Sequence, residues 1–462
     1  MTADLRELSQ GDWEQWYKTL DVAFGGVAEA PEERELWRDL TECERSIGAW
    51  DGETCVGTAG AFSFRMSVPG GALVDTAGVT MVGVAATHRR RGLLTAMMRR
   101  QLDDVRERGE AVAVLTASEP EIYGRFGYGA GSFHHRMEID TTRVGLTVPP
   151  GTDDVRLRYE TPAKALPACE AVYARRVPGR PGLMARRPGW ERLVTLDPPA
   201  DRNGASPQQC VLAERDGEVV GFAFYAVKPE WDAQGPKGTV KVQDVEALDP
   251  AAYAALWRFL FDIDLTSTVL ALNRPVDDPV AQLVTNVRRC DLRTRESLYV
   301  RLVDVGAALE ARTYQTPVDV VLDVEDAFCP WNQGRWRLTG DTKGASCKRV
   351  DDSAPADLAL AVRELGSLYL GGVPLTQLAA AGRVRELRQG AVAEAGVPRV
   401  GHRPRRRELP RSPFGRHESC PPVALRRQEP FSPSRWPDRR GATGVRVRIG
   451  WSPGHRMPSG GG

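Results

Sequence analysis

Apolar and polar positions follow strand and helix periods along the first 395 residues and then lose all period. Around Asp51-Gly52, residues 45–50 lead into a turn and residues 54–64, a long apolar run, lead out, so the Asp-Gly pair predicts a β-hairpin. A Pro69-Gly70-Gly71 turn and an apolar strand over 78–84 follow. Residues 87–92 then open a helix with Leu93, Leu94, Met97, Met98, Leu102 and Val105 on one face, ended by Gly109. A strand over 111–116 completes the order hairpin, strand, helix, strand, which predicts a mixed sheet with a crossover helix and an α+β fold class.

The motif Asp51-Gly52-Glu53 with Gly57 is echoed 165 residues later by Asp216-Gly217-Glu218 with Gly221. The order of elements around it matches too, which predicts a duplicated domain; a chance repeat is the other reading. In this second copy the strand 239–245 runs into Asp249-Pro250, with no arginine and no glycine where the first copy has Arg89-Arg90-Arg91-Gly92. A third segment from about 297 predicts strands at 318–324 and 334–339, a helix over 355–366 and an amphipathic stretch to Ala395. The expected division is 1–145, 146–296, 297–395 and a tail, 396–462.

The tail changes the charge picture. It holds 15 Arg, no Lys and 4 acidic residues, so the chain's net charge of +1 hides a tail at +11 and a body at −10. With 11 Pro and 10 Gly and no period, its composition is that of a disordered segment. The near-neutral total gives no reason to expect nucleic acid or a membrane surface as partner. The N-terminus lacks a basic stretch before an apolar run, and the longest apolar stretch, 251–261, is interrupted by Arg258, which together predict a cytoplasmic protein without a membrane span. Eight cysteines stand singly without a CxxC pair, so neither a metal site nor a disulfide framework is expected.

Candidate chemistry concentrates at 79–92, an apolar strand feeding an Arg/Gly-rich turn at a helix start. Unpaired N–H groups and the helix dipole make such a start an anion site, and the three arginines add charge in reach of phosphate oxygens. The competing reading is that the arginines only solvate a helix end. Arg89-Arg90-Arg91-Gly92-Leu93-Leu94 resembles the acetyl-CoA signature of GNAT acetyltransferases, Q/R-x-x-G-x-G/A, with Leu94 departing at the last position. Together with Ile122-Tyr123-Gly124-Arg125-Phe126-Gly127-Tyr128-Gly129, and with 366–372 further on, it resembles the Eis family over roughly residues 1–395.

That resemblance implies two tandem GNAT-like domains, a sterol-carrier-like domain, acetyl-CoA as co-substrate and a homo-oligomer, a hexamer. It implies that Val82, Gly83 and Val84 pair their backbone with the pantetheine arm. Arg90, Arg91, Gly92, Leu93, Leu94 and Thr95 would hold the diphosphate, and Ser118 and Glu119 would complete the cofactor site. Tyr123 would protonate the departing thiolate; without the resemblance the favoured reading is a core aromatic beside Phe126 and Tyr128. Phe24, Trp37, Phe62 and Met81 would line a pocket for the amine, the alternative being plain core packing.

The general base is the missing partner, since the strand over 79–84 carries no carboxylate. The resemblance implies an unusual solution, the buried α-carboxylate of the chain's own last residue. The abrupt Arg/Pro/Gly composition after Ala395 is expected from a shifted reading frame, or from a lineage-specific extension, and either would displace that base and suppress turnover. The expected activity is N-acetylation of an aminoglycoside or similar polyamine, a small-molecule partner. Protein-lysine acetylation ranks second, and the reading from another class is a non-catalytic acyl-CoA or lipid-binding protein.

Overall fold

The computed structural model describes residues 3–395, so the disorder expected of 396–462 lies outside the described residues. Three sheets carry the fold. The first has the spatial order Asp4–Glu7, Ile47–Asp51, Thr54–Ser67, Leu73–Val84, Val112–Thr116, Leu298–Leu302, Gly129–Ala130, with Met184–Ala185 pairing on Thr54–Ser67. The second runs Arg293–Glu296, Phe133–Asp140, Thr266–Pro275, Gly238–Ala247, Glu218–Lys228, Gln209–Arg215, Arg156–Glu160. The third runs Ala345–Arg349, Gly334–Gly340, Val318–Glu325, Leu358–Ala361, Val384–Glu386.

Local chemistry explains the turns that were legible. Gly52 takes φ +62° at the first hairpin, and Asp216 and Gly217 take +50° and +82° at its echo. At the echo, positive φ at both central residues, Asp216 and Gly217, is the type I′ geometry that Asp-Gly favours, whereas at the first hairpin only Gly52 lies in the left-handed region. The helix Leu93–Glu107 buries Met97, Met98, Leu102 and Val105 against the first sheet's strands, as its period required. Each copy thus repeats hairpin, strand, helix, parallel strand.

Two expectations are corrected. Residues 355–366 are not one helix: Leu358–Ala361 is a strand parallel to Val318–Glu325, and only Val362–Leu368 is helical. The run Leu358-Ala359-Leu360-Ala361 has good helix formers, but pairing of Leu358 with Leu322 buries it more completely than a surface helix would. Likewise the stretch to Ala395 resolves into the helix Leu375–Ala380, the strand Val384–Glu386 and the helix Ala391–Ala395.

Strands also cross between the first two sheets. Phe133–Asp140 leaves the first copy to pair with Thr266–Pro275 and Arg293–Glu296 of the second sheet, while Leu298–Leu302 returns to sit between Val112–Thr116 and Gly129–Ala130. Ser132 pins the crossing: its hydroxyl accepts from Leu298 N at 3.1 Å, and Gly131 N donates to Leu298 O at 2.9 Å. Such an exchange covers sheet edges that would otherwise present unpaired N–H and C=O groups.

Candidate active site

The strands Leu73–Val84 and Val112–Thr116 run parallel but pair only over Thr76–Gly78 and Val112–Val114. Beyond Gly78 they diverge, and the main chain of Val82, Gly83 and Val84 keeps only its partners on the other side, Thr58 and Gly57. The divergence is built by a bulge at Met81, which takes φ +52° and whose carbonyl accepts from the Thr58 hydroxyl at 2.7 Å. A non-glycine residue held in the left-handed region is a cost of order 1–3 kcal/mol that the surrounding sheet sustains, and it re-aims the strand. The half-buried edge at 82–84 is therefore free to pair with an extended amide-bearing ligand.

The turn that follows has the form of an anion cradle. Arg90 takes φ +62° and Gly92 +82°, and Gly92 starts the helix Leu93–Glu107 with no side-chain cap. The first-turn N–H groups of Leu93, Leu94 and Thr95 are those a helix leaves without internal partners. Arg90 and Arg91 are exposed and make no ion pair among the described residues, whereas Arg89 turns back to the Val84 carbonyl at 3.4 Å. His88 is held against Asp51 at 3.2 Å and against Thr87 at 2.8 Å. A Cβ built at Gly92 would meet no protein atom within 4 Å, so the glycine is required by its φ rather than by crowding in the protein itself.

Ser118 and Glu119 are exposed just past the end of Val112–Thr116, at the mouth of the divergence. Tyr123 follows on a single helical turn, half-buried, its ring 6.0 Å from that of Tyr128 in an edge arrangement. Burial, assisted by the charge of Glu119, pushes its phenol up to about 12. The hydroxyl stays protonated across the physiological range and can donate to a developing thiolate.

The four residues expected to line an amine pocket do not share one exposed wall. Trp37, Phe62 and Met81 are buried to 3% exposure or less, and only Phe24, at the end of the helix Trp13–Ala23, is partly exposed. Phe62 packs against Trp37 at 6.3 Å and edge-on against Trp190 at 4.7 Å. Trp190 was not found from sequence, because nothing local ties 184–190 to the first sheet; it is brought there by the pairing of Met184–Ala185 with Arg65–Met66. Beside this cluster the Tyr17 phenol is pushed far above its ordinary value by burial and by the carboxylates Glu29, Asp21 and Glu33, of which Asp21 is itself paired with Arg34 at 3.1 Å.

The second copy keeps the scaffold and fills it. Where the first helix starts on a glycine, the helix Pro250–Phe261 starts on Asp249, whose Oδ1 accepts from Ala251 N and Ala252 N at 2.9 Å each, with Arg215 on Oδ2 at 2.9 Å. A built-in carboxylate thus holds the position an external phosphate would take. Arg274 lies across the gap between Gly238–Ala247 and Thr266–Pro275: Nη2 donates to Val245 O at 3.1 Å and Nε pairs with Asp278 at 2.6 Å. Burial alone would raise the Asp278 carboxyl, but the Arg274 charge outweighs it and holds that group below its ordinary value.

Comparison with known proteins agrees with this geometry. Residues 4–131 and 182–302 each match an acetyltransferase (GNAT) domain, and 305–399 match a sterol carrier protein domain. An uncharacterised N-acetyltransferase of Streptomyces avermitilis is 71% identical over 395 residues, covering 86% of this chain and 96% of its own length. The N-acetyltransferase Eis of Mycobacterium tuberculosis is 33% identical over 399 residues, 83% of this chain and 94% of that protein. The crystal structure of Eis1 from Mycobacterium abscessus superposes with a TM-score of 0.71 at 32% identity, covering 85% and 96% of the two chains.

Proposed function

We propose, from the premise that the chain belongs to the Eis-like family of GNAT N-acetyltransferases and is an acetyl-transferring enzyme, that its substrate is a primary amine of an aminoglycoside or a similar polyamine. GNAT domains take acetyl-CoA as co-substrate, and one observation carries its assignment to the first copy. Only there does a divergent strand pair lead into an uncapped, arginine-bearing helix start; in the second copy Asp249 and Arg274 stand in those places.

In the first copy the pantetheine arm runs along Val82, Gly83 and Val84 and the diphosphate sits on the turn from Arg90 to Thr95, with Ser118 and Glu119 at the mouth. The amine nitrogen attacks the thioester carbonyl, the C–N bond forms and the C–S bond breaks. The ammonium proton leaves to a base, and the departing sulfur takes a proton from Tyr123. The half-exposed ring of Phe24, on a body of net charge −10, supports a cationic and partly apolar acceptor. A hexamer belongs to the same proposal and is checked by light scattering.

Thiol release from acetyl-CoA, measured with an aminoglycoside, a linear polyamine and a lysine-containing peptide, tests the reading. The aminoglycoside is expected to give the highest kcat/KM. A preference for the peptide would move the assignment to protein lysines, and no release with any amine, either from the full chain or from one whose residues 396–462 are exchanged for the terminus of a related enzyme, would remove it. No helix among the described residues is long and apolar enough to cross a membrane.

A further inference from the structure

Acetyl transfer from a thioester to an ammonium needs a base as well as an acid. The strand Leu73–Val84 carries no carboxylate over 79–84, so among the described residues the base has to come from another element. Carboxylates on the neighbouring elements are committed: Asp51 is held by His88 at 3.2 Å, Asp21 by Arg34 at 3.1 Å, and Glu29 accepts from the Tyr17 hydroxyl. Glu119 is different. It stands at the mouth of the divergence, between the end of Val112–Thr116 and the single turn Pro120–Tyr123. It is exposed, and although it occupies the N-cap of that turn its side chain does not cap it. Its carboxylate makes no hydrogen bond or ion pair among the described residues. The cofactor assignment uses only its place at the mouth and leaves the carboxylate free. One helical turn further on is Tyr123, and of the two carboxylates at this turn, Glu119 and Glu121, it is Glu119 whose charge acts on the phenol.

We propose that Glu119 is the general base of acetyl transfer, so that base and acid lie on one short segment at the open end of the splayed strands. The inference rests on the acetyl-transfer reading above and names the proton acceptor which that reading leaves unassigned. The ammonium gives one proton to the Glu119 carboxylate, directly or through one water, and Glu119 sheds it to solvent at the exposed mouth. The neutral nitrogen attacks, the C–N bond forms, the C–S bond breaks and the sulfur takes the Tyr123 proton. The second proton lost by the nitrogen returns through Glu119 to the Tyr123 oxygen, so both side chains end the cycle as they began it. An exposed, uncommitted carboxylate suits this work, because it exchanges protons with water between turnovers and has no partner to release first.

Thiol release by the full chain is measured with neomycin, spermidine and a lysine-containing peptide, and the best acceptor is carried into the variants Glu119→Gln, Glu121→Gln and Tyr123→Phe. Glu119→Gln is expected to lower kcat/KM roughly 10²-fold at neutral pH with acetyl-CoA affinity retained by calorimetry. Glu121→Gln, which removes the same charge from the same turn, is expected to keep its rate. The deficit of Glu119→Gln should narrow as pH rises from about 7 to about 9, because a growing share of an amine with pKa near about 10 is then already neutral. An unchanged rate in Glu119→Gln, an equal loss in Glu121→Gln, or a deficit constant with pH would each overturn the proposal. So would a full chain that is silent and gains turnover only when residues 396–462 are exchanged for the terminus of a related enzyme; that outcome leaves acetyl transfer intact and puts the base in the terminus. Silence of both chains removes the acetyl-transfer reading and this proposal with it. A normal rate in Tyr123→Phe beside a slow Glu119→Gln returns Tyr123 to the core and leaves Glu119 as the base.

Discussion

Tyr123 and Gly92 carry the sharpest consequences at the scale of single residues. Tyr123→Phe removes one hydroxyl and leaves the ring against Tyr128, so kcat should fall roughly 10²- to 10⁴-fold while acetyl-CoA affinity holds. Because the phenol is pushed up to about 12, its acid form persists through neutral and mildly alkaline pH, and the pH profile of kcat should show no loss from this group below about pH 10. An unaltered rate in the variant would return Tyr123 to the core. At Gly92 the constraint is φ +82° with open space around it, so Gly92→Val strains the turn by about 1–3 kcal/mol without any clash inside the protein. Calorimetry should show acetyl-CoA binding weakened roughly ten- to a hundredfold. The motif is legible in sequence, whereas the backbone angle that demands its glycine is seen only in the fold. Trp190 was illegible for the opposite reason, since its place depends on a pairing 120 residues away from its own neighbours in sequence.

Among elements, the contrast between the two copies shows how a duplicated scaffold can lose a ligand site without losing its fold. The absence of the Arg/Gly turn could be read directly from Asp249-Pro250, whereas the filling of the gap by Arg274 could not, because Arg274 lies on the far strand and meets Val245 only in the folded sheet. Titration with acetyl-CoA should therefore report one site per chain, and two equivalent sites would overturn the assignment to the first copy. The same filled gap stores a pH dependence. Asp244 is buried, neither of its oxygens has a hydrogen bond, and Arg274 stands 3.9 Å away; burial, with Glu246 adding, raises its carboxyl to about 7. An acid whose folded pKa exceeds its unfolded value near 3.9 keeps its proton in the native state while the unfolded chain gives it up. Stability should accordingly fall by roughly 2–4 kcal/mol as pH rises from about 4 to 7 and then level off. Asp244→Asn, followed by urea denaturation across that range, should remove this component of the fall.

For the whole molecule, the decisive feature is that the candidate cleft is completed by a strand far downstream of it. Leu298–Leu302 pairs along the entire length of Val112–Thr116, the strand that forms one arm of the divergence, and Gly129–Ala130 next to Tyr128 pairs only through it. Its Arg301 is fully buried and bonded to Asp326 at 2.6 Å, with Asn332 on the same carboxylate at 3.0 Å, so the third segment is tied to the turn that carries Tyr123 and Tyr128. None of this had a local signature: all five residues of 298–302 are buried, so no alternation marks a face, and pairing partners nearly 190 residues apart leave no periodicity to read. A fragment ending at residue 145 would expose the edge of Val112–Thr116 and strand Phe133–Asp140 without its partners, and it is expected to aggregate and to bind no acetyl-CoA. In the intact chain, Asp326→Asn leaves Arg301 buried without its counter-charge, at a cost of about 3–5 kcal/mol. Hydrogen exchange should then show faster opening of Val112–Thr116 and of 120–130 together with the third segment. A soluble 1–145 fragment that binds acetyl-CoA as tightly as the full chain would show instead that the first copy is self-sufficient and the returning strand merely decorative.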